Sequence, residues 1–478
     1  MENRVLKNYQ LILKNILSYL PSRLLIIINS IIIIPIFAHI LETKQMSIYL
    51  ISIQILNLIL TCSYDWITKS VLRFYEKYRL KNSIDSFMSN IFCISVITYF
   101  FILSLFIFSR NYVLAKFSID NLTFLLIIFL VIPCGIRQFL YQILRLKNKP
   151  KLYTISIVLY QISFIILFLL LMHILNGAAA ILLAMNIAIF LIDIYIMKSI
   201  LLNYNIKISL DKSLISEILK YALPLILTNS CYWVVLHISK LTFQQMHEYL
   251  NTAIIGVSWM LSNSVMQPLL SVFIFAVFPV IIKKFESNRI VKNYFTNIIQ
   301  LFCCIFIPLA GIFCYFSKEI TSLILPQKYS TAAIIIPFFA VTLFLHEFLK
   351  LINIKYHLKN KTYVEMIIAV FIAGLTYLLN INLISKYSIL GAAIALLVSE
   401  LILIVINIFT GLKNYDYINY KKIIKTFILT SLTGAISFII TLTLFHNNYS
   451  TLICIIKIIM YVLLNIIILW KFKKQILS

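Results

Sequence analysis

Long apolar runs separated by short clusters rich in Lys, Asn and Tyr set the pattern of this chain. The runs are continuous and lack the period of two that a half-buried strand requires, so they read as helices. A hydrocarbon core about 30 Å thick takes about 20 such residues to cross, at a helical rise of about 1.5 Å. Runs of that length predict fourteen spanning helices, at residues 16–40, 44–68, 86–109, 121–144, 153–174, 177–197, 221–243, 251–279, 296–317, 331–349, 363–384, 388–411, 426–445 and 450–470. The connecting segments are short and leave no room for an inserted soluble domain. The predicted fold class is an all-α polytopic membrane protein.

Polar residues recur inside some of these spans at helical spacing. Span 1 carries Ser18, Ser22 and Asn29, with Arg23 and Ser30 beside them, and span 2 carries Gln54, Asn57, Thr61 and Asp65. Span 7 carries Asn229, Trp233, His237, Lys240 and Gln244, and span 8 carries Asn263, Gln267 and Ser271. Such stripes cannot face hydrocarbon cheaply, so they are expected to meet one another or water. A hydrated cavity lined by spans 1, 2, 7 and 8 is the economical arrangement.

Charge gives the helices a direction. With the amino end inside, 31 of the 41 basic residues fall in cytoplasmic segments and 6 in outer ones, counting Lys44 at the outer edge of span 2. The other four, Arg23, Arg137, Lys240 and Lys457, lie within spans. That alternation follows the positive-inside rule and predicts both termini on the cytoplasmic side. The basic amino end precedes a run of span length without a small-residue cleavage site, so it is expected to be a retained first helix. Composition agrees: the 478 residues are 62% hydrophobic and 12% charged, with a mean hydropathy of +0.99. The net charge of +25 then reflects orientation and anionic-lipid contact, with no need for nucleic acid. The eight cysteines show no disulfide or zinc spacing and are expected to pack in the core. No metal or other cofactor is expected beyond a coupling H⁺ or Na⁺.

The chain also repeats itself. "NGAAAILLAMN" at 176–186 is echoed by "LGAAIALLVSE" at 390–400, "KNKP" at 147–150 by "KNKT" at 359–362, and "NILSYLP" at 15–21 by "EILKYALP" at 217–224. The offsets cover six helices, an even number, so both copies keep one orientation and predict a parallel repeat. Residues 1–204 are then an N-terminal lobe of spans 1–6 and 205–414 a C-terminal lobe of spans 7–12. Spans 13 and 14, residues 415–478, are appended. The Gly-Ala-Ala segments are expected to let helices approach closely.

Charges inside the spans suggest the chemistry. Arg23 and Arg137 lie deepest, and a guanidinium grips phosphate in two-point contact. Lys240, His237 and Lys457 stand nearer the outer ends, within snorkelling reach. Glu400 is the most central acid, whereas Asp193, Glu347 and Glu365 are expected to be interfacial charges near the inner face. The candidate substrate-binding residues are Arg23, Arg137, Lys240, Asn29, Asn57, Asn229, His237 and Asn263, and the candidate ion carriers are Glu400 and Asp65. A basic, polar chamber open to lipid suits an amphiphile bearing phosphate and sugars.

Four stretches carry a family resemblance: "PSRLLIIINSIIIIPIFAHILETKQMSIYLISIQ" at 21–54, "ILKYALPLILTNSCYWVVLHISK" at 218–240, "LPQKYSTAAIIIPFFA" at 325–340 and "YSILGAAIALLVSE" at 387–400. In order and spacing the chain resembles the polysaccharide-biosynthesis (Wzx-type O-antigen) flippases of the multidrug/oligosaccharidyl-lipid/polysaccharide exporter superfamily. Ser22-Arg23 is similar to a Ser-Arg early in the first span of related peptidoglycan-precursor flippases, which implies a phosphate contact for Arg23. The outer turn "LETKQMSIY" lacks the glycines usual in the family, and Ser239-Lys240 replaces an acidic-basic pair. The resemblance implies transfer of undecaprenyl-diphosphate-linked oligosaccharide across the cytoplasmic (inner) membrane by alternating access. It also implies a glycan polymerase and chain-length machinery as partners. Two rivals stand beside it. A cation or drug antiporter of the same superfamily would want an acidic cavity, and a glycan polymerase or glycosyltransferase would want larger outer loops.

Overall fold

The computed structural model describes residue 21 and residues 23–81, 83–147, 149–175, 177–200, 210–286, 292–358, 362–412, 419–445 and 451–471. Ser18, Ser22, the opening of span 1 and most of the "NILSYLP" and "KNKT" echoes lie outside the described residues. The described residues are nearly all helical and contain no strand. Thirteen of their helices are long and apolar enough to cross a membrane. This is the outcome that hydrocarbon imposes, since a helix satisfies its backbone hydrogen bonds within one segment.

The helices are α1 (Arg23–Ile40), α2 (Thr43–Leu60), α3 (Trp66–Leu80), α4 (Ile84–Phe108), α5 (Arg110–Phe117), α6 (Asn121–Leu146), α7 (Pro150–Leu171) and α8 (Gly177–Ile200). They continue as α9 (Lys212–Gln245), α10 (Tyr249–Glu286), α11 (Lys292–Tyr315), α12 (Ser317–Ile324), α13 (Ala332–Leu358), α14 (Thr362–Leu412), α15 (Tyr420–Leu444) and α16 (Thr451–Lys471). Local chemistry sets several starts. Asp120 caps α6 by accepting from the Thr123 amide, and Asp211 caps α9 by accepting from Ser213 and Leu214. Those bonds from Ser213 and Leu214 hold the Asp211 carboxyl below its usual range. Pro150 occupies the first turn of α7, where its missing N–H costs nothing.

Contacts divide the chain into two compact units. One comprises Ile40–Gly256 and Thr362–Tyr377. Within it α8 packs on both α6 and α7, α2 lies against α6 and α8, and α3 runs along α9. Ala178, Ala179 and Ala180 are buried in this packing, as the first Gly-Ala-Ala segment predicts. The other unit comprises Met1–His39, Val257–Lys361 and Leu378–Ser478. Its centre is α11, packed on α13 and α15, with α16 against α15. Phe302 anchors that core by stacking with Phe344 at 5.6 Å and meeting Phe306 at 4.8 Å. These units follow contact density, whereas the lobes inferred from the sequence follow internal repetition.

Several helices outrun the expected spans. Span 2 is expected at 44–68, yet helix continues to Leu80 through a π-helical turn at Thr61–Asp65. Spans 7 and 8 lengthen to the 34 residues of α9 and the 38 of α10. A hydropathy window ends where charge begins, but polar residues such as Lys69 and Arg73 continue a helix when packed on a neighbour. Two expected outer loops contain the short helices α5 and α12. Each tucks apolar side chains under itself, Val113 and Phe117 in α5 and Ile320 in α12.

Expected spans 11 and 12 form one run, α14, broken at Ser388, which has φ 49° and ψ −129°. A positive φ folds the chain sharply here, and Gly391 makes the fold tight. A Cβ on Gly391 would fall on the backbone carbonyl oxygen of Leu383. The glycine of the first echo has a different neighbour: a Cβ on Gly177 would strike the Leu41 side chain. Side chains yield more readily than backbone. Gly391→Ala is therefore expected to destabilise the protein by roughly 2 kcal/mol, seen as a lower thermal midpoint of detergent-solubilised protein. An unchanged midpoint would mean that the arms of α14 part without cost.

Candidate functional site

The π-turn at Thr61–Asp65 positions a polar site in the Ile40–Gly256 unit. Turns of this kind recur at functional sites, because the extra residue displaces side chains from a regular stripe. Tyr64 rests on Gly135 of α6, where any Cβ would collide with its ring. The Asp65 carboxylate accepts hydrogen bonds from Thr61 and Gln138 and feels the charge of Lys69 one turn on. Lys69 Nζ donates to Asn229 Oδ1 of α9 at 2.9 Å. Cys62 Sγ lies 3.5 Å from the Ser230 hydroxyl. The sequence-predicted Asp65 and Asn229 thus meet through a lysine one residue past the expected end of span 2.

Two donors on α9 have no acceptor among the described residues. Asn229 Nδ2 and, one turn along α9, Trp233 Nε1 are buried without a hydrogen-bond partner. A buried donor left unmet costs about 1–3 kcal/mol. An exposed ammonium bonded to Asn229, with two such donors on the same helix, fits an acceptor-rich anion. The α9 stripe then continues: the Trp233 and His237 rings lie 5.5 Å apart, and His237 Nδ1 is 3.0 Å from Lys240 Nζ. Lys240 is 2% exposed. Snorkelling is therefore corrected here: Lys240 is packed inside the unit, and Lys457 is likewise buried.

Arg137 occupies a separate cluster in the same unit. Its guanidinium stacks 3.9 Å from the Tyr160 ring centroid on α7. Tyr141 and the Asp193 carboxylate of α8 lie within electrostatic reach. Asp193, expected to be interfacial, is 3% exposed, and Glu347 and Glu365 are buried as well. Each has a cation or ring at hand: Glu347 accepts from Lys350 at 2.6 Å, and Glu365 lies near Tyr221. The helices carry these acids into protein–protein packing rather than to the lipid surface. Asn57 is exposed on α2, out of line with the buried Gln54 and Thr61.

The remaining candidates lie in the other unit. Arg23 and Asn29 are half-buried on α1, and Asn263 is half-buried on α10. Glu400 is fully buried on α14 and faces His346 of α13, with Nδ1 to Oε1 at 2.9 Å. Sequence reading missed His346, although "HEFLK" places it inside an apolar span beside Glu347. Removing one member of a buried pair strands the other, at about 3 kcal/mol or more. His346→Leu is expected to lower the unfolding midpoint markedly, and Glu400→Leu added to it should restore most of the loss. A double variant no more stable than the single would refute a paired role.

The fold is that of known membrane transporters. A structure of the lipid II flippase MurJ, in an inward closed conformation, aligns with a TM-score of 0.70 at 18% identity, covering 97% of this chain and all of that one. A multidrug resistance MATE family transporter of the MOP superfamily aligns in its outward-facing conformation at 0.61 and 13% identity, over 84% of this chain and 95% of its own. The inward-facing conformation of such a transporter aligns at 0.53, over 84% and 93%. No family model matches the chain, and no curated protein matches it in sequence.

Proposed function

We propose that this chain is a flippase. It moves an undecaprenyl-diphosphate-linked oligosaccharide, of the O-antigen or capsule repeat-unit type, from the inner to the outer leaflet of the cytoplasmic membrane. The observation that carries this reading is the Lys69 ammonium beside the acceptor-less donors of Asn229 and Trp233. A diphosphate supplies acceptors for both donors. A cationic drug supplies none. The alignment adds support: MurJ is covered from end to end along with 97% of this chain, whereas the MATE structure leaves 16% of the chain unmatched.

In this reading the lipid tail stays in the bilayer while the head group enters polar surroundings. The two six-helix lobes, 1–204 and 205–414, rock about the axis that relates them and expose the head group to each side in turn. Both termini are proposed to be cytoplasmic, which requires an even number of spans such as fourteen. Arg23 is proposed as a phosphate contact on the strength of the Ser22-Arg23 resemblance alone, and Asn57, in the unit that holds Lys69, as a contact to the sugar. Arg137, Lys240 and His237 act on the substrate through the helices that they hold in place. Glu400 and Asp65 are the proposed carriers of a coupling H⁺ or Na⁺. No bond in the glycan is made or broken; a separate polymerase with its chain-length machinery would act on the delivered unit.

The test is flipping by the full-length protein in proteoliposomes, using a fluorescent undecaprenyl-diphosphate oligosaccharide and an outer-leaflet quencher. Wild type should move the lipid. Trp233→Phe, which keeps the ring and deletes the donor, should slow movement about tenfold, the worth of one hydrogen bond to a charged group. Movement of an organic cation by wild type, with the lipid left in place, would overturn the flippase in favour of the antiporter.

A further inference from the structure

One buried acid takes no part in the site just described. Asp193 stands on α8, which packs on α6, α7 and α2, and it is 3% exposed. Neither of its carboxylate oxygens has a hydrogen-bond partner among the described residues. Three acids on other helices are met. Asp65 accepts from Thr61 and Gln138, Glu347 accepts from Lys350, and Glu400 pairs with His346. Around Asp193, α6 brings Arg137, Cys134 and Tyr141. From α7 comes Tyr160, on which Arg137 is stacked, and from α2 comes Tyr49, within reach of Tyr160.

An ionised carboxylate that accepts no hydrogen bond is expensive in a protein interior, and one proton removes the charge. Arg137 lies within electrostatic reach of Asp193, but its guanidinium rests on the Tyr160 ring. A permanent positive charge at that range repels a metal cation, whereas a proton needs only one oxygen. The chemistry of the cluster therefore selects H⁺ over Na⁺.

Arg137 also connects this acid to the Lys69 site. The next residue on α6, Gln138, bonds to the Asp65 carboxylate, which feels the charge of Lys69. Consecutive helical residues point about 100° apart, so one short stretch of α6 serves both clusters. That stretch bends more readily than a regular helix. Pro133 lies inside it and gives no N–H to the preceding turn. Two residues on, Gly135 leaves only hydrogen under the Tyr64 ring. A rotation here carries Arg137 and Gln138 together.

We infer that Asp193 is a proton-binding site, and that its proton sets the grip of Gln138 on Asp65 by way of Arg137. With Asp193 neutral, Arg137 stays on Tyr160. Release of the proton leaves a carboxylate that draws the guanidinium off the ring. Gln138 turns with it and loosens from Asp65, which then answers Lys69 more fully, so the ammonium holds an anion less tightly. Uptake forms one O–H bond on an Asp193 oxygen with a proton from water, release returns it, and no electrons move. The inference rests on the flippase reading only for what the proton controls, and the two fail separately.

The test is infrared difference spectroscopy of full-length protein in liposomes, titrated with acid in potassium buffer and again with sodium added. The variants are Asp193→Asn, Asp193→Ser, Gln138→Ala, Asp65→Asn and Glu400→Gln, with thermal midpoints recorded for all. Two substitutions at Asp193 guard against one that misfolds. A C=O band of a protonated carboxyl should appear in wild type, survive in Glu400→Gln and Asp65→Asn, and be missing from both Asp193 variants. The carboxylate band of Asp65, identified by its loss in Asp65→Asn, should shift as Asp193 gains its proton. That shift should vanish in Gln138→Ala while the Asp193 band remains. Fluorescent undecaprenyl diphosphate should bind the acid form of wild type about tenfold more tightly, an ordinary size for coupling between two sites. Asp193→Asn should bind it equally at both pH values. An Asp193 carboxylate ionised across the whole titration would make it a structural partner of Arg137 and overturn the proposal. Loss of its band on adding sodium at constant pH would make it a metal-ion site, which also overturns it. In wild type, an Asp65 band or a lipid affinity indifferent to the Asp193 proton would sever the link to Lys69 and overturn the control. Both infrared signals in a wild type that neither binds nor flips the lipid would leave the proton site standing and remove the flippase reading.

Discussion

Everything in this molecule follows from the obligation to satisfy backbone hydrogen bonds where water is absent. That obligation makes nearly every described residue helical and leaves side chains as the only source of specificity. The apolar ones form the packed interiors of the two units. The polar ones must find partners or ligands, so each exception carries information. Glu400 against His346, Arg137 against Tyr160, and Lys69 against Asn229 are three different answers to one demand.

Those answers differ in how fully each group is met. Glu400 and His346 are almost sealed from solvent and pair with each other, with Glu400 Oε2 left over, and Glu347 pairs with Lys350. Arg137 is held by aromatic rings and a nearby carboxylate inside its own bundle. The neighbourhood of Lys69 differs in that two donors on α9, Asn229 Nδ2 and Trp233 Nε1, are buried without an acceptor among the described residues. An imbalance of that kind is stable only where something else contributes acceptors, which makes it a better guide to a ligand than charge alone.

Much of the fold was legible because hydropathy runs report span position directly. The segments around 121–144 and 426–445 match α6 and α15 to within a few residues. The Gly-Ala-Ala echoes pointed correctly to buried small residues, although Gly177 and Gly391 turn out to face a side chain and a backbone oxygen respectively. The site was harder to read. Asp65 and Asn229 are visible as polar residues on striped helices, but the lysine joining them sits just past an apolar window. His346 escaped because a single imidazole in an apolar run carries no periodic signal. The partners of Arg137 were hidden for another reason: Tyr160 and Asp193 are brought to it by tertiary packing of three helices, and no spacing along the chain encodes that.

The wide turn at Thr61–Asp65 has one more consequence. Each residue added to a helix advances its angular phase by about 100°, so everything after the turn inherits the rotation. The orientation of α3 toward α9 is thus fixed by chain arithmetic upstream as well as by the side chains that meet there. A sequence with every cation kept but one residue lost from that turn would swing Lys69 away from Asn229. In such a protein, insertions and deletions near Thr61 would be selected against more severely than substitutions at any single position of α3.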